Sequence, residues 1–167
     1  MGDDRLLLIE DDDDFREALA RALERQGFAV TAVPGLAGLS SVVGQLLPQF
    51  AVIDLALADG DGMDALDIVL DQSPLTVALV LTGHGSIPAA VAAMRAGAAD
   101  FRTKPIGGVE LAAALRAAAP AAAAPLDQVE REHILKVLDG VGGNISEAAR
   151  RLGLHRRTLQ RKLHRMG

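Results

Sequence analysis

Apolar residues fall along the chain in two alternating rhythms. Short β-type runs read as strands: Arg5–Ile9, Phe28–Val33, Phe50–Asp54, Thr76–Thr82 and Asp100–Arg102. Between them, Asp12–Gln26, Leu36–Leu47, Gly62–Asp71, Ile87–Ala96 and Gly108–Ala118 carry apolar residues at helical spacing. Several strands are almost wholly apolar, as parallel strands covered on both faces should be. Five βα units within residues 1–119 predict one α/β domain built on a doubly wound, parallel five-stranded sheet. Such sheets bind ligands beyond the carboxyl ends of their strands.

The rhythm breaks at "RAAAPAAAAP", Arg116 to Pro125. Ala favours helix, but Pro120 and Pro125 interrupt it, so a helix end should run into a semi-stiff Ala/Pro linker, residues 120–125. Residues 126–167 predict a small all-α domain. Leu126–Leu138 places Val129, Ile134, Leu135 and Leu138 at helical spacing, and "DGVGG" breaks it. Asn144 followed by Glu147 makes a capping pair for a second helix, which Gly153 ends. A third begins near His155, with Leu159, Leu163 and Met166 on one face and Arg156, Arg157, Gln160, Arg161 and His164 elsewhere. Two short helices joined at a Gly, with Ala149 small enough for close approach, form a helix-turn-helix.

Composition sharpens this division. The net charge of −5 hides opposite halves. Residues 1–120 carry 8 Lys/Arg against 17 Asp/Glu, and residues 121–167 carry 9 against 5. From Arg150 onward there are 7 basic residues and no acid, which suits a polyanion. Cysteine is absent, so disulfides, zinc–thiolate sites and thiol chemistry are excluded. No apolar run is long enough to span a bilayer, and no basic segment precedes the short N-terminal apolar run. The expected location is the cytoplasm, with no membrane partner.

Each predicted strand end carries chemistry. The first gives Glu10 and Asp11, with Asp12 behind them; the third gives Asp54, the fourth Thr82, and Lys104 follows the fifth. On one rim these acids would repel unless a cation intervened. An all-oxygen acidic cluster suits a hard divalent ion, and Mg2+ fits best because it keeps waters and a phosphate oxygen. A carboxylate beside such an ion can attack a phosphoryl group, with metal and Lys spreading the charge that develops. Asp12, Asp13 and Asp14 also complement a helix macrodipole, and for Asp13 and Asp14 that is the preferred reading. "DGDG", Asp59 to Gly62, lacks the closing Glu of a calcium loop, "GHG" near Gly83 lacks the Lys of a P-loop, and His84 reads as a loop residue.

"IEDDDDFR", "VIDLALADGDG", "LVLTGHG" and "ADFRTKP" resemble, in order, the four signature regions of bacterial response-regulator receiver domains over residues 5–119. The resemblance implies the flavodoxin/CheY-like strand order 2-1-3-4-5. It implies Asp54 as phosphoacceptor, with Glu10, Asp11, Asp54 and the main-chain carbonyl of Ala56 as metal ligands. Thr82 and Phe101 would be the switch residues and Lys104 the phosphate partner. Ala58 stands where the family usually has Pro, Gly83 where Ala or Ser is commoner, and Phe101 lacks a hydroxyl, so it would switch by packing. The peptide before Pro105 is often cis in this family.

"ISEAARRLGLHRRTLQRKL" resembles the Fis-type DNA-binding domain. Arg156, Arg157, Gln160 and Arg161 would face the major groove, where Arg reads guanine and Gln adenine, and Arg150 and Arg151 would hold phosphates. A receiver joined directly to a Fis-type domain, with no ATPase module between, resembles the short RegA/PrrA/ActR-type regulators of proteobacteria. The implied partners are a sensor histidine kinase, double-stranded DNA and a second copy of the chain, and the implied targets are redox-responsive genes of respiration or photosynthesis. The chain is then a transcription factor rather than an enzyme, apart from losing its own phosphate to water. Two rivals are a phosphoryl relay whose basic tail meets protein or RNA, and a magnesium phosphohydrolase, for which the sequence offers no dedicated acid, base or substrate loop.

Overall fold

The strand and helix rhythms of the sequence become a layered sheet and a separate helical cluster in the computed structural model, which describes residues 4–83, 87–119 and 128–166, the last without the side chains of residues 128–130. The described residues form two units divided between residues 119 and 120. The predicted linker, residues 120–125, lies outside the described residues, as do Leu126 and His84.

The first unit contains β1 (Asp4–Ile9), α1 (Asp13–Arg25), β2 (Phe28–Val33), α2 (Leu39–Leu46), β3 (Phe50–Asp54), β4 (Ala56–Leu57), β5 (Gly60–Asp61), α3 (Gly62–Gln72), β6 (Val77–Thr82), α4 (Ile87–Arg95), β7 (Asp100–Thr103) and α5 (Gly108–Ala118). Five strands make a parallel sheet in the order β2-β1-β3-β6-β7, which is the expected 2-1-3-4-5 once the short β4–β5 hairpin is set aside. That hairpin, Ala56–Leu57 against Gly60–Asp61, was not expected from the sequence.

Strand side chains alternate between two cores. Leu7, Ile9, Ala51, Ile53, Ala78 and Val80 face α2, α3 and α4, where Leu39, Val43, Leu66, Val69 and Ala93 meet them. Leu6, Leu8, Phe50, Val52, Leu79 and Leu81 face α1 and α5, against Leu19, Leu23, Leu111 and Leu115. Burial on both faces is why these strands read as continuous apolar runs. Asp12 caps α1, its carboxylate accepting the Phe15 amide at 2.9 Å. The Lys104–Pro105 peptide is cis.

The second unit contains α6 (Gln128–Gly140), α7 (Ile145–Leu152) and α8 (Arg156–Met166). α7 packs against both neighbours. Ile134, Ala148, Ala149 and Leu159 are buried at the centre, with Leu138, Leu154, Leu163 and Met166 around them. The expected end of α6 at Leu138 is early by two residues. Gly140 stays helical, and the stop comes where the Gly142 and Gly143 amides reach back to the Asp139 and Leu138 carbonyls.

Gly153 closes α7 at φ +67°, its amide and that of Leu154 returning to the Arg150 and Ala149 carbonyls. A Cβ at Gly153 would meet nothing within 4 Å, so Gly153→Ala carries only the left-handed backbone cost, about 1 kcal/mol. Thermal unfolding of the second unit should therefore shift down by several degrees, with the first unit's transition unchanged.

Candidate functional site

Parallel strands place their carboxyl ends on one rim, and the register sets who meets whom. Ile9 pairs with Ile53, Asp54 with Leu81, and Thr82 with Thr103. Glu10 and Asp11 thus leave β1 beside Asp54 at the end of β3, with Thr82 ending β6 and Lys104 just past β7. Glu10 and Asp54 are almost sealed from solvent, 1% and 4% exposed, and Asp11 is half-buried. One carboxylate oxygen from each of the three lies within 4.8 Å of the others.

Lys104 crosses this cluster. Its Nζ donates to Glu10 Oε2 at 2.6 Å and to Asp54 Oδ2 at 2.8 Å, and sits 4.6 Å from the centroid of the Phe15 ring. Burial works to lower the Lys104 pKa, but the hydrogen bonds to Asp54 and Glu10 outweigh it and raise it. Burial pushes the Glu10 carboxyl above its usual range, opposed by Lys104 and by the Asp12 amide. One ammonium therefore stabilises two buried acids, and a third acid stands beside them without that contact. The surplus negative charge, carried wholly by oxygens, is the donor set a hard divalent cation takes.

The surroundings of Asp54 are tightly built. Asp54 Oδ1 accepts the Ala56 amide at 3.0 Å. A Cβ at Gly62 would lie 2.1 Å from the Asp54 carbonyl oxygen and 2.5 Å from the Leu55 Cα, so only glycine lets the hairpin fold back onto β3. Asp54, Ala56, Thr82, Gly83, Ala89 and Lys104 line an open pocket of about 290 Å³. Phe101 is half-buried on β7, packed against the core that faces α2, α3 and α4.

Three contributors escaped the sequence reading. Arg16 donates to the Glu10 carbonyl at 2.8 Å, which fixes the turn carrying both acids. The Phe15 ring lies beneath Lys104. Asp59, at the hairpin tip, accepts the Leu36 amide and the Ala37 amide. Arg16 and Phe15 follow the acidic run directly, so the position of the helix start could have found them. Asp59 acts across 23 residues, and nothing local announces it.

In the second unit Asn144 caps α7, accepting the Glu147 amide at 3.1 Å. The reciprocal half of the capping pair is not made. The Asn144 amide goes to the Val141 carbonyl, and the Glu147 carboxylate turns to Arg150 at 2.7 Å and Arg151 at 3.2 Å. Those hydrogen bonds hold Glu147 below its usual pKa. Arg156 is exposed, while Arg157, Gln160 and Arg161 are half-buried. Arg161 is drawn further into the unit than its spacing suggested. Burial, and then Arg165, lower its pKa, though an arginine stays charged at neutral pH. The His155 Nδ1 accepts the Arg157 amide at the start of α8.

This arrangement can be set beside known proteins. The family model described as the response regulator receiver domain matches residues 6–116. The chain belongs to the response-regulator family. The model described as bacterial regulatory protein, Fis family, matches residues 125–166, so this response regulator joins a receiver to a DNA-binding helix-turn-helix. It is 39% identical over 170 residues to the photosynthetic apparatus regulatory protein RegA of Cereibacter sphaeroides, covering 98% of this chain and 92% of that protein. It is 41% identical to the acid tolerance regulatory protein ActR of Rhizobium meliloti, covering 96% of this chain and 86% of that one.

Among solved structures, the regulator is similar to a Burkholderia pseudomallei response regulator described with a phosphorylated aspartic acid, a calcium ion and citrate. The match is 35% identical at a TM-score of 0.64, covering 96% of this chain and 99% of that one. The beryllofluoride-activated NtrC4 receiver domain dimer is 29% identical at a TM-score of 0.64, covering 70% of this chain and 96% of that one. Both relatives are regulatory proteins by name.

Proposed function

We infer that Asp54 accepts a phosphoryl group from a sensor histidine kinase, and that the acyl phosphate switches how the helix-turn-helix units bind DNA. One observation carries the reading: Glu10, Asp11, Asp54 and Lys104 converge at a single strand-end rim in a chain that also holds a helix-turn-helix. Glu10, Asp11, Asp54 and the Ala56 carbonyl would hold a magnesium ion. When bound, that ion supplies positive charge against the phosphoryl oxygens.

An Asp54 carboxylate oxygen forms the new P–O bond as the P–N bond to the kinase imidazole breaks; the ring nitrogen keeps the electron pair and takes a proton. Lys104, already 2.8 Å from Asp54 Oδ2, is placed to neutralise the transferred group. Thr82, 7% exposed and lining the same pocket, offers its hydroxyl to a phosphoryl oxygen. Moving Thr82 leaves room that Phe101 fills by packing alone. Water later cleaves the acyl phosphate and resets the site.

The response would be felt on the α4, β7 and α5 face. Ile87, Val91 and Met94 stand exposed on α4 at helical spacing, a stripe suited to a second copy. Two copies then present two helix-turn-helix units to a two-fold site, the first residues of α8 entering the major groove and Arg150 and Arg151 meeting phosphates. The likeness to RegA supports redox-linked genes of respiration or photosynthesis as targets. No helix among the described residues is long and apolar enough to cross a membrane, which agrees with a cytoplasmic regulator.

Acetyl phosphate with magnesium, followed by borohydride reduction and peptide mass mapping, tests the acceptor; modification should fall on Asp54 and nowhere else. The phosphate-contact reading has its own check. Arg150 and Arg151 must leave Glu147 to reach a phosphate, and exposed pairs of this kind are weak and screened by salt. Glu147→Gln removes the competitor and one negative charge near the DNA. Affinity should rise several-fold at low salt, and log K should fall more steeply with log salt, by about one to two units of slope. An unchanged slope would take Arg150 and Arg151 off the phosphates.

A further inference from the structure

We propose that Asp59 is a positioning residue for the phosphoacceptor loop: it locks the tip of the β4–β5 hairpin to the loop after β2 and so fixes Ala56 against Asp54. The inference rests on the proposed role of the Asp54 site and names how that site is held in shape before any ligand arrives.

The hairpin is only two residues deep on each side, Ala56 facing Asp61 and Leu57 facing Gly60. So short a hairpin is not stable by itself. Its base is fused to β3, because the Gly62 amide donates to the Leu55 carbonyl at 2.9 Å and a Gly62 Cβ would strike the Asp54 carbonyl oxygen. Its tip, Ala58–Asp59, has no proline to stiffen it. The Asp59 carboxylate supplies the missing restraint. Leu36 N lies 3.0 and 2.9 Å from its two oxygens, and Ala37 N lies 3.1 Å from Oδ2. These two amides hold the Asp59 carboxyl below its usual pKa.

The fit is close on both sides of the contact. A Cβ at Gly35 would lie 2.2 Å from Asp59 Oδ1, and one at Gly60 would lie 2.4 Å from Leu36 Cδ1. Leu57, buried beneath the hairpin, and Leu36 share one apolar core. The end of β2 that leads into this loop touches the other side of the site too, since the Val33 carbonyl accepts the Glu10 amide at 3.1 Å. One short segment, Val33 to Ala37, therefore braces both the turn that carries the acids and the loop that carries Ala56. The Ala56 amide bonds Asp54 Oδ1, and its carbonyl is the fourth proposed cation ligand. Freeing the hairpin tip loosens both.

The test uses the full chain, with Asp59→Asn, Asp59→Ala and Gly35→Ala. Gly35→Ala attacks the same contact from the opposite loop, so the two families of variant check each other if one fails to fold. Amide hydrogen exchange at Leu36, Ala37 and Ala56 is read without metal, and magnesium affinity by calorimetry. Asp59→Ala and Gly35→Ala should speed exchange at all three amides and weaken magnesium binding about ten-fold. Asp59→Asn keeps one acceptor oxygen and should fall between wild type and Asp59→Ala. Faster exchange at Leu36 and Ala37 with Ala56 exchange and magnesium affinity unchanged would overturn the proposal, leaving Asp59 a tie between two loops. Wild-type protein that binds no magnesium would instead remove the proposed Asp54 site, and the positioning role with it.

Discussion

Asp54→Ala should abolish phosphoryl incorporation from acetyl phosphate, a loss of at least about a thousand-fold in rate. Three carboxylates share the rim, so the choice among them needs an argument. Glu10 is the most deeply buried and does not line the pocket that Asp54 shares with Thr82. Asp11 is half-exposed and lacks the Lys104 contact that Asp54 has. Asp54 alone combines an amide bond to one oxygen, an ammonium on the other and a place in the pocket with Thr82. The variant should stay folded, because Lys104 keeps Glu10 as a partner. Intact-mass measurement reads the result. Full incorporation in the variant would move the acceptor to Glu10 or Asp11 and undo the mechanism.

Leu159→Ala should unfold the helix-turn-helix while leaving the receiver intact. Leu159 is completely buried among Ile134, Ala148 and Ala149, a core of few residues. Deleting a buried leucine side chain costs about 3 kcal/mol, and the cost is larger where neighbours cannot close the gap. A single core of this size supplies only about 3–5 kcal/mol in all. The loss and the whole are comparable, so the unit should melt near room temperature. Calorimetry should then show one transition in place of two, gel-shift assays should show specific DNA binding gone, and Asp54 should still accept phosphate. DNA binding that survives would mean contacts beyond this core hold the unit.

β1, β3 and β6 were legible because each is buried on both faces, which makes an apolar run no loop could tolerate. The converging acids were legible through topology: parallel strands bring Glu10 and Lys104 together across 94 residues without any local cue. The β4–β5 hairpin was not legible, since four residues that include glycine and aspartate carry no strand pattern. Asp59 was hidden for the same reason, its partners being main-chain amides of another loop. Glu147 illustrates a different limit. The spacing from Asn144 fits a capping pair, but two arginines three and four residues on attract the carboxylate more strongly than a neutral amide already bonded to Val141. Arg161 shows that helical spacing tells which face a residue occupies, not how deeply a long side chain is buried.

The most direct measurement is in vitro selection of DNA by the full chain, with and without magnesium and beryllofluoride as the phosphoryl mimic. A two-fold motif enriched more strongly with the mimic is the expected result, since it joins the Asp54 site to paired helix-turn-helix units. A motif enriched equally in both conditions would contradict the switch, and no motif at all would contradict the DNA reader and favour a phosphoryl relay whose basic end meets protein or RNA.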